Sequence, residues 1–202
     1  LINQFRKYNN KYKLNLSERS YYNHTRDFFA LNLILKKKIK VLDYGSNFLA
    51  CSNLDNKIDC KNIDYFLFNP FLKKIIINKK FGKLKVKCFK NLKTIKKQKF
   101  DIINFGSSLQ YMENFDQIIK SLRFKAKSTI LISATPITFK KTYKAKQTNA
   151  KGLNQKVYSF YDIAKILKKK KFKNIFKSCM DFKLSGLKKK NKTYFMNLVF
   201  RN

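Results

Sequence analysis

The chain has 202 residues, 44% of them hydrophobic and 20 of them phenylalanine; that suffices for one domain with a real core and excludes a disordered basic tail. Its formal charge of +36 arises from 47 Lys and Arg against 11 Asp and Glu, which raises the question of a polyanionic partner. Only Arg6, Arg19, Arg26, Arg123 and Arg201 are arginines, whereas nucleic-acid readers lean on arginine for bidentate contacts. With Asn, Ile, Phe and Tyr abundant, and only 5 Gly and 2 Pro, composition drift toward A/T-rich codons is the preferred explanation.

Residues 1–16 are polar and read as an N-terminal extension, leaving 17–202 as a single domain. Ser17 is placed to cap a helix that runs to about Lys36, with Tyr21, Phe28, Leu31 and Leu35 at helical spacing. The run 39–44 then predicts a buried parallel strand, ending in Asp43, Tyr44 and Gly45. A second apolar run, 63–68, stops at Asn69-Pro70. Residues 84–89 alternate apolar residues with lysine and predict an edge-like strand, and 100–105 predict another strand, ending at Gly106. A helix is expected over 115–124, a strand over 128–133 closed by Thr135-Pro136, and a Lys-rich connection over 139–156. Ser159 caps a predicted helix over 160–170, and two strand-like runs, 172–182 and 192–201, should pair as an antiparallel hairpin. The expected fold class is therefore α/β, with a mostly parallel central sheet, helices on both faces and a C-terminal antiparallel hairpin.

Cys51, Cys60, Cys88 and Cys179 form no Cys-x-x-Cys pair, and one histidine, His24, does not complete a zinc set with them. No metal is expected, and free thiols point to a reducing cytoplasm. No apolar run reaches the roughly 18 residues of a transmembrane helix. Residues 1–8 lead into no apolar segment, so no signal peptide is expected.

In such sheets ligands bind at the carboxyl ends of the strands, near the point where strand order reverses. The informative residues are therefore Asp43, Gly45 and Asn47 after the first strand, Asn69 after the second, and 106–111 after the fourth. Acids are rare here, so one retained at the mouth of an apolar strand is unlike generic surface.

The run Val41-Leu42-Asp43-Tyr44-Gly45-Ser46-Asn47 resembles motif I of class I S-adenosylmethionine-dependent methyltransferases, and 100–112 resembles their motif IV. The segment Ser107-Ser108-Leu109-Gln110-Tyr111 is similar to a bacterial group of methyltransferase-like proteins, several of them associated with surface-polysaccharide genes. Thr135-Pro136, Gln147 and Tyr158 extend the likeness, which covers roughly 20–200. The resemblance implies a Rossmann-like methyltransferase fold and S-adenosylmethionine as cofactor. It places Asp43, Tyr44, Gly45, Ser46, Asn47, Asn69, Phe105, Gly106 and Ser107 around that cofactor. Ser108, Gln110, Tyr111, Gln147 and Tyr158 then face the acceptor, a small molecule or glycan, with Tyr111 and His24 as candidate proton acceptors. Three positions depart from the pattern: Asn47 replaces a glycine, Asn69 an acid, and Ala134 an arginine. Two alternatives follow, an RNA methyltransferase exploiting the basic surface and a non-catalytic methyltransferase-like binding subunit.

Overall fold

The first strand, β1 (Ile39–Tyr44), is buried at nearly every position, as its central place in the sheet requires. Residues 38–45, 60–70, 76–81, 83–95, 97–146, 154–180 and 193–202 are described in this computed structural model. The remaining strands are β2 (Ile63–Phe68), β3 (Ile76–Phe81), β4 (Leu84–Phe89), β5 (Lys99–Gly106), β6 (Arg123–Thr138), β7 (Tyr143–Lys146), β8 (Asn154–Ser159), β9 (Lys173–Met180) and β10 (Thr193–Arg201). Two α-helices are described, α1 (Phe115–Ser121) and α2 (Phe160–Lys168).

The sheet order is β3-β4-β2-β1-β5-β6-β10-β9, with β8 also pairing β6 and β7 pairing β8. β4, β2, β1, β5 and β6 run parallel, whereas β10 is antiparallel to both β6 and β9. The expected mostly parallel sheet and terminal hairpin are thus observed. The chain leaves β1 in one direction to β2 and later returns to β5 on the other side. The switch point therefore lies at the carboxyl ends of β1 and β5.

Side chains alternate across the sheet. Leu42, Tyr44, Phe66, Phe100, Ile103 and Phe105 join one core cluster, which includes Phe115 and Ile119 of α1 and Ile163 and Leu167 of α2. Ile39, Val41, Tyr65, Leu67, Val86, Cys88 and Ile102 belong to a second cluster. Both described helices thus pack on one face. The helix expected over 17–36 and the extension 1–16 lie outside the described residues. Ser159 caps α2 as expected, its hydroxyl accepting from the Tyr161 N–H at 3.3 Å.

Four stretches differ from the sequence expectation. α1 stops at Ser121, because Arg123 and Phe124 already pair with Lys99 and Phe100. β6 continues past Ser133 through Pro136, which lies opposite Phe195 of β10; an imino nitrogen is tolerated where the ladder asks no donor of it. The Lys-rich connection contains β7 and β8, an antiparallel pair whose second strand docks on Ile137 and Thr138. β3, not expected at all, pairs antiparallel with β4.

Candidate functional site

At the end of β1 the chain turns through Gly45, whose φ is +80°, a conformation that only glycine adopts without strain. Its N–H donates to the Phe68 carbonyl at 2.7 Å, and the Asn69 N–H donates to the Phe89 carbonyl at 2.9 Å. The ends of β1, β2 and β4 are thereby tied in a row. A Cβ on Gly45 would lie 2.9 Å from the Cβ of Ser108, so the turn packs directly on the loop that follows β5. The Ser108 hydroxyl reinforces this by donating to the Tyr44 carbonyl at 2.5 Å.

Asp43 is completely buried. Tyr65 donates its phenolic proton to Asp43 Oδ2 at 2.5 Å, and Asn104 Nδ2 donates to Asp43 Oδ1 at 3.1 Å. The register explains the meeting: Asp43 lies opposite Asn104 on β5 and Leu67 on β2. A carboxylate withdrawn from water needs such donors. Asp43 therefore locks β1, β2 and β5 beneath the turn. Among the described residues, Asn104 Oδ1 and Gln110 Oε1 are buried side-chain oxygens without a hydrogen-bond partner. An unmatched buried acceptor is costly unless something else supplies a donor.

After β5, Ser107 takes a left-handed backbone (φ 48°) and donates its hydroxyl to the Ala134 carbonyl at 3.0 Å. A short 3-10 turn, Leu109–Tyr111, follows. It buries Gln110 and leaves Tyr111 45% exposed. Tyr158, at the end of β8, donates to the Met112 carbonyl at 2.5 Å and packs edge-on against Phe115. Burial pushes the Tyr158 phenol up to about 12, with a hydrogen bond at Phe115 opposing and Glu113 assisting. Burial likewise pushes Tyr44 up to about 12, its ring lying against Phe68 and Phe105. Both phenols stay neutral at physiological pH, so Tyr158 acts here as a donor that pins the loop.

Of the residues singled out in the sequence, Asp43, Tyr44, Gly45, Asn69, Phe105, Gly106, Ser107, Ser108, Gln110 and Tyr111 gather at the carboxyl ends of β1, β2 and β5, with Tyr158 at the end of β8. Ser46, Asn47, His24 and Gln147 lie outside the described residues. Sequence reasoning passed over Asn104 and Tyr65, although each is a polar group inside an otherwise apolar strand, which is the signal that marks them.

No family model matches the chain, and no curated protein matches it in sequence. Solved structures do resemble it. Magnesium protoporphyrin IX methyltransferase from Synechocystis PCC 6803, with SAH bound, has a TM-score of 0.56 at 11% identity, covering 99% of this chain and 94% of that one. The Burkholderia thailandensis 1,6-didemethyltoxoflavin-N1-methyltransferase, bound to 1,6-didemethyltoxoflavin and S-adenosylhomocysteine, gives 0.55 at 10%, covering 100% and 84%. The cyclase SpnF gives 0.58 at 10%, covering 89% and 80%. The chain thus has the Rossmann-like fold of class I methyltransferases, a fold that also carries a cyclase. At these identities the likeness speaks of fold alone; the chemistry has to be argued from the site.

Proposed function

We propose that this chain is an S-adenosylmethionine-dependent methyltransferase that acts in the cytoplasm on a small molecule or a surface-glycan precursor. The observation that carries the reading is the left-handed Gly45 turn at the switch point, braced by Ser108 above and by the Asp43–Tyr65–Asn104 cluster below. S-adenosylmethionine presents an ammonium, a sulfonium and two ribose hydroxyls, so it asks for acceptors. The unpartnered oxygen of Asn104 suits a donor-rich cofactor, and that of Gln110 an acceptor molecule that brings a hydroxyl. The amide of Asn69 offers an acceptor to a hydroxyl, in place of the acid this position resembles.

When bound, S-adenosylmethionine supplies a methyl group already activated on a sulfonium. What remains for the protein is alignment. In this reading Tyr44, Gly45, Asn69, Phe105, Gly106 and Ser107, with Ser46 and Asn47, hold the cofactor, and Asp43 fixes the frame they stand on. Gln110 and Tyr111, with Gln147, face the acceptor. Ser108 and Tyr158 are positioning residues, because their hydroxyls are spent on Tyr44 and Met112. Four cysteines, widely spaced and without a Cys-x-x-Cys pair, agree with a reducing compartment. No described helix is long and apolar enough to cross a membrane.

The test is methyl transfer from methyl-labelled S-adenosylmethionine to nucleotide sugars and sugar phosphates on one side and to RNA on the other. Label is expected in the small acceptors. Label in RNA alone would overturn the acceptor class. No label in either, together with no binding of S-adenosylhomocysteine, would overturn the enzymatic reading.

A further inference from the structure

A cleft of about 630 Å³ opens on the lower half of the sheet, toward the amino ends of β1 and β2 and away from Gly45. Its origin is topological. The chain passes from β4 across β2 and β1 to β5 through residues 90–98, with only a 3-10 turn at Leu92–Ile95. Crossovers of this kind usually spend a dozen or more residues and a helix. Ile95 is buried in the core and Leu92 packs against it. Among the described residues no helix lies over the lower parts of β2 and β4.

The surface that the described residues leave there is basic. Lys40 Nζ lies 5.4 Å and Lys87 Nζ 5.7 Å from the centroid of the same Phe66 ring, so the two ammonium groups gather at one ring, at most about 11 Å apart. Lys40 Nζ donates to Gln98 Oε1 at 2.9 Å, a neutral partner that fixes its position without neutralising its charge. Lys85 stands beside them on β4. Asp64 is the carboxylate of the lining, and it pairs with Lys38 at 3.5 Å. With so high a net charge, lysine on a convex surface needs no explanation; lysines converging on a concave one do.

We infer that this cleft is a binding site for an oligophosphate chain, carried by a nucleotide or free. Lysine meets phosphate as a point charge without the bidentate geometry of arginine. The volume lies within the roughly 300–1,000 Å³ of small-ligand sites. Phe66 is buried and already faced by two lysines, so its ring offers no stacking platform and the phosphate charge carries the recognition. The inference stands apart from methyl transfer, because the cleft lies at the opposite end of the strands from the Gly45 turn.

The test is calorimetric titration with sodium tripolyphosphate at constant ionic strength. Wild type is compared with Lys40→Gln/Lys87→Gln and with Lys165→Gln/Lys168→Gln, an equal charge change on the exposed face of α2. The cleft variant should weaken binding at least tenfold and the α2 variant less than twofold. Equal weakening in both, or no binding to wild type, would overturn the site. ATP in a parallel arm separates the sources: tighter binding than tripolyphosphate assigns a nucleotide, and equal binding a free phosphate chain. A single-stranded RNA oligonucleotide that loses more affinity than either in the cleft variant would overturn the small-ligand assignment. Unchanged binding of S-adenosylhomocysteine by the cleft variant shows that its fold and the other site are intact.

Discussion

Ser107 and Ala134 hold each other in a backbone conformation that neither prefers. Ser107 has φ 48° and Ala134 φ 45°, and the Ser107 hydroxyl donates to the Ala134 carbonyl at 3.0 Å. The Ser107 N–H donates to Ser133 at 2.9 Å. From the other side, Asn197 Oδ1 accepts from the Ala134 N–H at 3.0 Å, where the β6–β10 register shifts between Met196 and Leu198. The kink in β6 is thus locked by both neighbouring strands. Beyond it residues 135–138 remain paired with β10, Ile137 and Thr138 also pair with β8, and it stands beside the loop that carries Gln110 and Tyr111. Left-handed non-glycine residues cluster at functional sites when the surroundings over-determine them.

This lock gives a prediction of unusual sign. Glycine within a strand normally destabilises, but at position 134 it relieves left-handed strain. Ala134→Gly should stabilise by about 0.5–1 kcal/mol in urea denaturation, whereas Asn197→Ala should destabilise by about 1–2 kcal/mol by orphaning a buried N–H. A destabilising Ala134→Gly would mean that the conformation carries no strain.

Gly45 should not accept even a methyl group. Gly45→Ala forces both φ +80° on an L-residue and a 2.9 Å contact with Ser108 Cβ. A loss on the order of 2–4 kcal/mol is expected in thermal denaturation. Adding Ser108→Gly should recover only part of it, because the backbone strain remains and the bond to the Tyr44 carbonyl is lost.

Tyr158→Phe keeps the ring against Phe115 and removes the donor to Met112. The expected cost is about 1–2 kcal/mol. Amide exchange should accelerate in 107–114 and remain unchanged in β1. Unchanged protection of that loop would show that the phenol does not pin it.

Alkaline pH should weaken the fold through two phenols. Unfolded tyrosine ionises near 10.0, while burial pushes Tyr44 and Tyr158 to about 12. Between those values the native state keeps protons that the unfolded state releases, so stability is complete below pH 10 and falls as pH rises toward 12. The slope is about 1.4 kcal/mol per pH unit for each phenol. Tyr44→Phe/Tyr158→Phe should flatten it; an unchanged slope would assign the loss to other groups.

How much of this was legible in the sequence differs by element. β1, β2 and the terminal hairpin announced themselves because dense apolar runs bounded by turn residues leave little choice. β3 hid behind Asn78, Lys79 and Lys80, although Gly82-Lys83 between the paired Phe81 and Leu84 is the two-residue hairpin signal. β7 hid in lysine: Tyr143 and Ala145 alternate with Lys144 and Lys146, a period of two read as a charged connection. At the site, Asp43 and Gly45 stood out by their place after a strand. The partners of Asp43 did not, because pairing Tyr65 and Asn104 with it depends on register across three strands, which no local pattern carries. The same holds for Asn197 and Ala134, 63 residues apart.

The most direct test of the account is calorimetric titration of S-adenosylhomocysteine into wild type and Asp43→Asn, with thermal melts to confirm that both fold. Micromolar binding to wild type is expected, with at least a tenfold loss in the variant, since an amide at 43 upsets the acceptor that Tyr65 and Asn104 share. A folded wild type that binds no S-adenosylhomocysteine would contradict it.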